Sequence, residues 1–102
     1  MKWYHYICAF FSGMFLANAV PHFVNGISGN YFPTPFADPP GKGLSAPVIN
    51  VIWALFNITS GYFLLKGANI QSKNKSLLLT FFLGIAAISI MLSIAFLDKT
   101  LT

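Results

Sequence analysis

The sequence predicts an all-α membrane protein, in which three transmembrane helices form a bundle and a Pro/Gly-rich interfacial cap joins helices 1 and 2. Of the 102 residues, 56% are hydrophobic and only 8% are charged, whereas about 25% are charged in a typical soluble domain. Three apolar runs reach the length of about 20 residues that crosses the hydrocarbon layer. A stretch dense in proline and glycine separates the first two runs. We therefore expect one integral membrane domain over residues 1–102.

The transmembrane helices are expected at about residues 3–21, 47–66 and 77–97. The third run carries no charge and only a few hydroxyl side chains, which can bond back to helix carbonyls. In the second run, Pro47 suits the first helical turn, and Lys66 at the far end can extend its ammonium group toward lipid headgroups. Each run is about one membrane thickness long at 1.5 Å per residue.

Two interpretations of the first run remain open. Lys2 precedes an apolar stretch that ends in the Ala-Asn-Ala triplet of residues 17–19, which resembles a signal peptide with its cleavage site. However, the aromatic residues between Trp3 and Tyr6 are typical of a helix anchored at the membrane interface. We expect a retained helix. Cleavage would instead leave two spans and a long, Phe-rich exterior segment.

The segment between the first two helices, residues 22–46, is predicted to form an ordered cap. Its prolines stiffen the backbone, and the aromatic side chains among them give the segment apolar surface to bury. We expect Phe32 or Phe36 to pack against the helix ends. We also expect a positive φ at Gly41 or Gly43, because the Pro-Gly sequence there requires a turn.

The distribution of the six lysines predicts the orientation of the bundle. One end carries Lys2, Lys66, Lys73 and Lys75, and the other end carries Lys42 and Lys99. Loops that remain in the cytoplasm are enriched in Lys and Arg. The N-terminus is therefore predicted to be cytoplasmic, and the cap and the C-terminus are predicted to face outward. Because these lysines flank apolar runs and do not cluster on one face, no nucleic-acid partner is expected.

Small residues recur at about four-residue intervals in each predicted helix. The stripes are Ala9, Gly13 and Ala17 in the first helix, Ala54, Asn57 and Gly61 in the second, and Ala86, Ser89 and Ser93 in the third. Such spacing lets helix backbones approach closely within a membrane. The stripes could pack the three helices together or present an oligomer interface. The polar members near the membrane centre, Ser12, Asn57 and Ser89, are expected to bond across helices.

A cluster of polar residues is predicted at the outer end of the bundle, and it consists of Asn18, His22, Asn25, Asp38 and Asn50. If helix 1 continues beyond Pro21, the first three of these share one helical face. They could bind an ion, a headgroup or a small molecule, or they could simply fasten the cap. One His and one Asp match no catalytic spacing and offer too few ligands for a metal, so no cofactor is expected. We expect His22 to point inward and bond the cap or an Asn.

The blocks PHFVNGISG, FPTPFADPPGKG and LSAPVINVIW resemble a family of small bacterial membrane proteins that share an FPTPFxxPPGKG-type loop. The resemblance covers roughly residues 17–65, and the Pro-rich block is its distinctive part. It implies a bacterial cytoplasmic (inner) membrane location. It implies no activity, cofactor or partner.

Two functions are compatible with the sequence. The first is a non-enzymatic scaffold or accessory subunit, which associates with itself or with a larger membrane complex. The alternative is a carrier or binder of a lipid or small molecule at the polar cluster of the outer leaflet. A water-filled pocket at the outer mouth would favour the carrier, whereas small-residue faces left exposed would favour assembly. Membrane lipids are the expected surroundings in either case.

Overall fold

The computed structural model describes residues 2–71 and 73–98, which form a bundle of three long helices. The elements are α1 (Trp3–Ile27), α2 (Pro47–Ala68) and α3 (Lys75–Ala95), with one 3-10 turn (Phe96–Asp98) after α3. All three helices are long and apolar enough to cross a membrane. The all-α, three-helix architecture predicted from the sequence is confirmed. The end of the bundle where α2 connects to α3 is called the loop end, and the opposite end is called the cap end.

Helix α1 ends six residues beyond its predicted end, because Pro21 does not terminate it. A proline within a helix lacks the N–H that would bond the carbonyl four residues earlier, here that of Ala17. Only one backbone bond is lost in this way, and the Asn25 side chain donates a hydrogen bond of 2.8 Å to the Pro21 carbonyl. The cap therefore begins at Ser28 instead of residue 22, and it comprises residues 28–46.

Helix α1 lies at the centre of the bundle. It packs along both α2 and α3, whereas α2 and α3 barely contact each other within the described residues. The three helices meet at the loop end, where Ala9 of α1, Ala68 of α2 and Leu77 of α3 are completely buried together. Toward the cap end, α1 contacts α2 and α3 through two separate interfaces.

The α1–α2 interface joins small residues and polar side chains. Ser12 donates a hydrogen bond of 2.8 Å to the carbonyl of Gly61, which is the cross-helix bond expected of a polar residue at this depth. Ala54 is completely buried. Near the cap end, a Cβ added to Gly26 would lie 2.6 Å from Cγ2 of Val51, so only glycine permits this approach.

The α1–α3 interface depends on two glycines that face the opposite backbone. A Cβ at Gly13 would collide with the Phe81 carbonyl oxygen, and a Cβ at Gly84 would collide with that of Phe10. Gly84 lies outside the predicted stripe of α3. Of that stripe, Ala86 is half-buried and both Ser89 and Ser93 are exposed, and Ser93 bonds back to the Ile90 carbonyl of its own helix at 2.7 Å. The close contact falls at Gly84 because a glycine has no side chain, so the axes of α1 and α3 can approach most closely there.

The cap is held by pairing of its two ends. Phe32 and Ser45 form an antiparallel bridge with N···O distances of 3.2 and 3.0 Å, and the hydroxyls of Thr34 and Ser45 lie 2.6 Å apart. Gly41 has a φ of +76°, which confirms the predicted turn. Gly43 is restricted differently, since a Cβ there would collide with the carbonyl oxygen of Asp38.

Aromatic side chains of the cap pack against the helices, as predicted. The ring of Phe32 lies 4.8 Å from that of Phe96 and 5.5 Å from that of His22, edge to face in both cases. Phe36 lies edge-on to Trp53 at 5.1 Å, although 68% of its surface is exposed. An ordered cap thus covers one end of α1 and α2.

Candidate functional site

The centre of the candidate site is a hydrogen bond between α1 and α2. His22 is only 2% exposed, Asn50 is completely buried, and Nδ1 of His22 lies 2.8 Å from Oδ1 of Asn50. The inward orientation and the Asn partner are those expected from the sequence. Because Pro21 leaves α1 helical, the ring of His22 is delivered to the face of α1 that meets α2.

Asn50 joins the helices to the cap through its amide nitrogen. Nδ2 lies 3.0 Å from the Phe32 carbonyl oxygen, 3.2 Å from that of Ser45 and 3.3 Å from that of Ala46. An amide nitrogen donates whereas these oxygens only accept, so the orientation of the Asn50 amide is determined by its surroundings. Its oxygen must then face His22, and Nδ1 of His22 must be the donor.

A second pair of amides lies one turn deeper. Asn18 donates from Nδ2 to Oδ1 of Asn57 at 3.0 Å, and Asn57 donates from its own Nδ2 to the Trp53 carbonyl oxygen at 2.8 Å. The second bond determines the orientation of the Asn57 amide. Asn18 must therefore donate to it, which leaves Oδ1 of Asn18 able to accept a further hydrogen bond.

A cavity of about 200 Å³ lies beneath the cap and borders on both polar pairs. We call it the cap pocket and define its polar lining as Asn18, His22, Thr34 and Trp53. No charged side chain of the described residues lines it. Nε1 of Trp53 is a buried donor without a hydrogen-bond partner, and among the described residues it is the only buried side-chain nitrogen or oxygen in that state.

A larger apolar groove adjoins the cap pocket. This α1–α3 groove has a volume of about 600 Å³ and is bordered by Ala17 and Val20 of α1 and by Ser89 and Ser93 of α3. Leu92 and Phe96 line both the groove and the cap pocket. The groove exists because α1 and α3 touch at the glycine contact and leave space between them closer to the cap.

Three members of the predicted cluster do not line the cap pocket, namely Asn25, Asp38 and Asn50. Asn25 uses its amide on the Pro21 carbonyl of its own helix, and Asp38 is exposed on the cap. Consequently His22 has Asn50, and not Asp38, as its partner. Ser89, which was expected to bond across helices, is exposed along the groove.

Several residues of the site were not anticipated from the sequence. Thr34 and Ser45 pair within the cap, Trp53 contributes the buried donor, and Leu92 and Phe96 connect the two cavities. Only Trp53 could have been identified from the sequence, since an indole N–H within a membrane span needs a hydrogen-bond partner. The other residues are recognisable only once the cap is folded onto the helices.

Titratable side chains are few around the cap pocket. His22 is the only titratable side chain that borders the cap pocket in the described part of the chain. No group of three His, Cys, Asp or Glu side chains comes together within residues 2–71 and 73–98. Most of the surface that the described residues present to the cap pocket is apolar.

The fold and the site together define a small multi-pass helical membrane protein with a pocket under a cap. In comparisons, no protein family, curated protein or solved structure matches the chain. The resemblance to small bacterial membrane proteins with an FPTPFxxPPGKG-type loop therefore stays a prediction.

Proposed function

We propose that this protein binds a lipid-like amphiphile, with the polar head in the cap pocket and the apolar chain in the α1–α3 groove. The observation that carries the proposal is the continuity of the cap pocket with the α1–α3 groove. Since Leu92 and Phe96 border both, one molecule can extend from the first to the second. Asn18 and His22 border only the cap pocket, so polar and apolar parts of a ligand are directed to different ends.

The dimensions and position of the groove favour this proposal. Its volume of about 600 Å³ falls within the range of roughly 300–1,000 Å³ typical of ligand sites. Its lining comes from α1, α3 and Phe96 alone, and α2 does not cover it. A ligand dissolved in the bilayer would enter sideways, without first passing through water. The role is proposed to be non-enzymatic.

A second candidate function is that of a scaffold or accessory subunit. Ala17, Ser89 and Ser93 are small, and all three border the groove. A groove lined by small residues is also what a transmembrane helix requires for close packing. In that case, a helix of a second copy or of a larger membrane complex would occupy the α1–α3 groove in place of the apolar chain of an amphiphile.

Native mass spectrometry of the protein released from detergent separates the two candidates. Binding of an amphiphile predicts a monomer that carries adducts of lipid mass, whereas assembly predicts multiples of the chain mass. Ser89→Phe fills the groove and is expected to abolish the adducts. Ala87→Phe adds the same ring to an exposed position of α3 that does not border the groove, and it should leave them unchanged.

Three results would contradict binding of an amphiphile in the α1–α3 groove. A bare monomer from wild-type protein would overturn binding of an amphiphile. Adducts that survive Ser89→Phe as well as Ala87→Phe would show that the lipid binds elsewhere on the surface. A dimer that Ser89→Phe dissociates and Ala87→Phe preserves would establish the assembly function instead.

We also propose that the bundle lies in a bacterial cytoplasmic membrane with its cap facing outward and its N-terminus in the cytoplasm. The support is the lysine asymmetry, together with a contact that brings the start of α1 to the start of α3: the Tyr6 hydroxyl lies 2.9 Å from that of Ser76. Lys2 and Lys75 therefore belong to the same end of the bundle. Topology reporters fused near Asn74 and near Lys42 should report the cytoplasm and the exterior, respectively. The reverse result would overturn this orientation.

A further inference from the structure

Five apolar side chains surround an open cavity of about 430 Å³ where the cap meets α2, and we call this surface the Phe36 face. Its members are Phe36, Ile49, Ile52, Trp53 and Phe56. The rings of Trp53 and Phe56 are stacked, with their centroids 5.5 Å apart, and Phe36 lies edge-on to Trp53 at 5.1 Å. We propose that the ring of Phe36 inserts below the lipid headgroups, so that the partner of this face is the acyl chains of the membrane that α2 crosses. The α1–α3 groove shares none of these residues.

The Phe36 face is a contiguous apolar surface. Phe36 is 68% exposed, Ile52 is 59% exposed and Phe56 is 56% exposed. Large exposed apolar patches mark surfaces that meet a membrane, a ligand or another protein. A transmembrane helix is poorly suited to this one, because none of the five members is Gly, Ala or Ser, the small residues that close helix packing in a membrane uses. Acyl chains are flexible and can conform to bulky side chains.

The length of α2 places this face within the hydrocarbon layer. The helix runs from Pro47 to Ala68 and has Lys66 in its last turn, and the Lys66 ammonium lies 5.6 Å from the centre of the Tyr62 ring, one turn closer to the middle of the helix. Because that ammonium belongs among the headgroups, the hydrocarbon at the loop end begins no further out than Lys66. A layer about 30 Å thick corresponds to about 20 helical residues. At the cap end it therefore reaches Pro47 or beyond.

The contact with Trp53 fixes the depth of Phe36. Trp53 follows Pro47 by six positions, which is about 9 Å along the helix axis. Helical side chains lean toward the N-terminus of their helix, so the indole lies less deep than its Cα. With the two ring centroids only 5.1 Å apart, the ring of Phe36 lies in the outermost part of the hydrocarbon layer.

The backbone around Phe36 has the hydrogen bonds that this depth requires. A peptide N–H in hydrocarbon must find its partner within the protein. The Phe36 N–H donates to the Thr34 hydroxyl oxygen at 3.2 Å, and the Ala37 N–H donates to the Thr34 carbonyl oxygen at 3.1 Å. Pro35 has no N–H, and Thr34 is only 1% exposed. Residues 35–37 therefore carry no backbone N–H that needs water.

The charged residues of the cap limit how far it can insert. Asp38 and Lys42 are exposed, and charged side chains are costly within hydrocarbon. Two residues of extended chain span up to about 7 Å, which is enough for Asp38 to reach the headgroups while Phe36 inserts. The insertion is therefore shallow, and the boundary between hydrocarbon and headgroups falls between positions 36 and 38.

Spin-label accessibility at these two positions tests the proposal. Cys8 is the only cysteine, so a Cys8→Ser background allows one nitroxide to be attached at Phe36→Cys and, in a matched control, at Asp38→Cys. Both proteins are reconstituted into phosphatidylcholine bilayers. Oxygen concentrates in hydrocarbon, whereas a water-soluble nickel complex is excluded from it. We expect the label at position 36 to collide more often with oxygen and the label at position 38 to collide more often with nickel.

Two results of this measurement would overturn the proposal. Nickel access at position 36 equal to that at position 38 would place the Phe36 face in water. Shielding of the label at position 36 from both reagents would show that protein, such as a second copy of the chain, covers the face in place of lipid.

Fluorescence quenching provides a second measurement that leaves Phe36 intact. The chain has two tryptophans, and Trp3 is 73% exposed on the first turn of α1, so Trp3→Phe leaves Trp53 as the only emitter. Phospholipids brominated on their acyl chains are expected to quench the Trp53 emission, and iodide in the water phase is expected to leave it unchanged. Quenching by iodide, or by neither reagent, would overturn the contact between this face and acyl chains.

Discussion

The two interfaces of α1 differ in how they are held together. Toward α2, the Ser12, Asn18 and His22 side chains each make a hydrogen bond across the interface, at 2.8, 3.0 and 2.8 Å. Toward α3, the glycines Gly13 and Gly84 bring the backbones together, and the helices then leave a groove. In a membrane, hydrogen bonds and close backbone packing are alternative means of association, since lipid tails are as apolar as the helices. The hydrogen-bonded interface fastens the cap, and the glycine interface leaves an open groove.

The largest loss of stability is expected when Asn50, which connects α1, α2 and the cap, is replaced. Asn50→Ala deletes the partner of His22 Nδ1 and the donor to three carbonyls, and we expect a loss of about 2–4 kcal/mol in the free energy of unfolding. Asn25→Ala is the matched control, because the side-chain hydrogen bond that it removes lies within α1. Denaturant titration in detergent measures both variants. Equal losses would show that Asn50 does not connect the cap to the helices.

A smaller loss of stability is expected when a side chain is added at the close contact between α1 and α3. Gly84→Ala places a methyl group against the Phe10 carbonyl oxygen, and overpacking of this kind costs about 1–3 kcal/mol. Ala87→Val enlarges an exposed side chain on the same helix and should have little effect on the same titration. If Gly84→Ala were as stable as wild type, the α1–α3 contact would be more adjustable than its geometry indicates.

His22→Ala tests the cap from the side of α1. It leaves the Asn50 oxygen without its donor, and we expect a loss of about 1–3 kcal/mol. His5→Ala removes a half-buried ring whose Nδ1 accepts a bond of 3.2 Å from the Lys2 backbone on the first turn, and its effect should be small by comparison. Thermal melts of both variants provide the measurement, and equal shifts would contradict a fastening role for His22.

The smallest expected difference compares two serines. Ser12→Ala removes a buried bond to the Gly61 carbonyl, which is worth about 0.6 kcal/mol on average and up to about 1.7 kcal/mol in membrane proteins. Ser89→Ala changes an exposed hydroxyl in the groove, and no measurable change in unfolding free energy is expected. A larger effect at Ser89 would reverse the distinction between the two interfaces.

The sequence was sufficient for the three helices and for the polar pairing near the cap. Span length and composition predicted the helices, and the inward orientation of His22 followed from its position beside Pro21. The extension of α1 to Ile27 was not predicted with the span boundaries, because a proline costs one backbone bond and the pattern alone does not show whether the helix ends there.

The packing of α3 was less predictable than that of α2. Small residues at Ala86, Ser89 and Ser93 and a single glycine at Gly84 are all compatible with close packing, and a pattern in one helix does not specify which face the next helix will meet. The position of α1 determines which of these residues make the close contact. Because Gly84 makes it, Ser89 and Ser93 line the open groove.

The most direct test of the difference between the interfaces is a pair of spin-label distances that share one position on α1. In a Cys8→Ser background, labels at Val24 and Ile52 span the α1–α2 interface, and labels at Val24 and Ile94 span the α1–α3 interface. All three label positions are more than half exposed. Addition of a short-chain diacylglycerol, chosen as a simple lipid-like amphiphile, is expected to shift or narrow the Val24–Ile94 distance distribution and to leave the Val24–Ile52 distribution unchanged. Identical behaviour of both distributions, whether both change or neither does, would contradict the account.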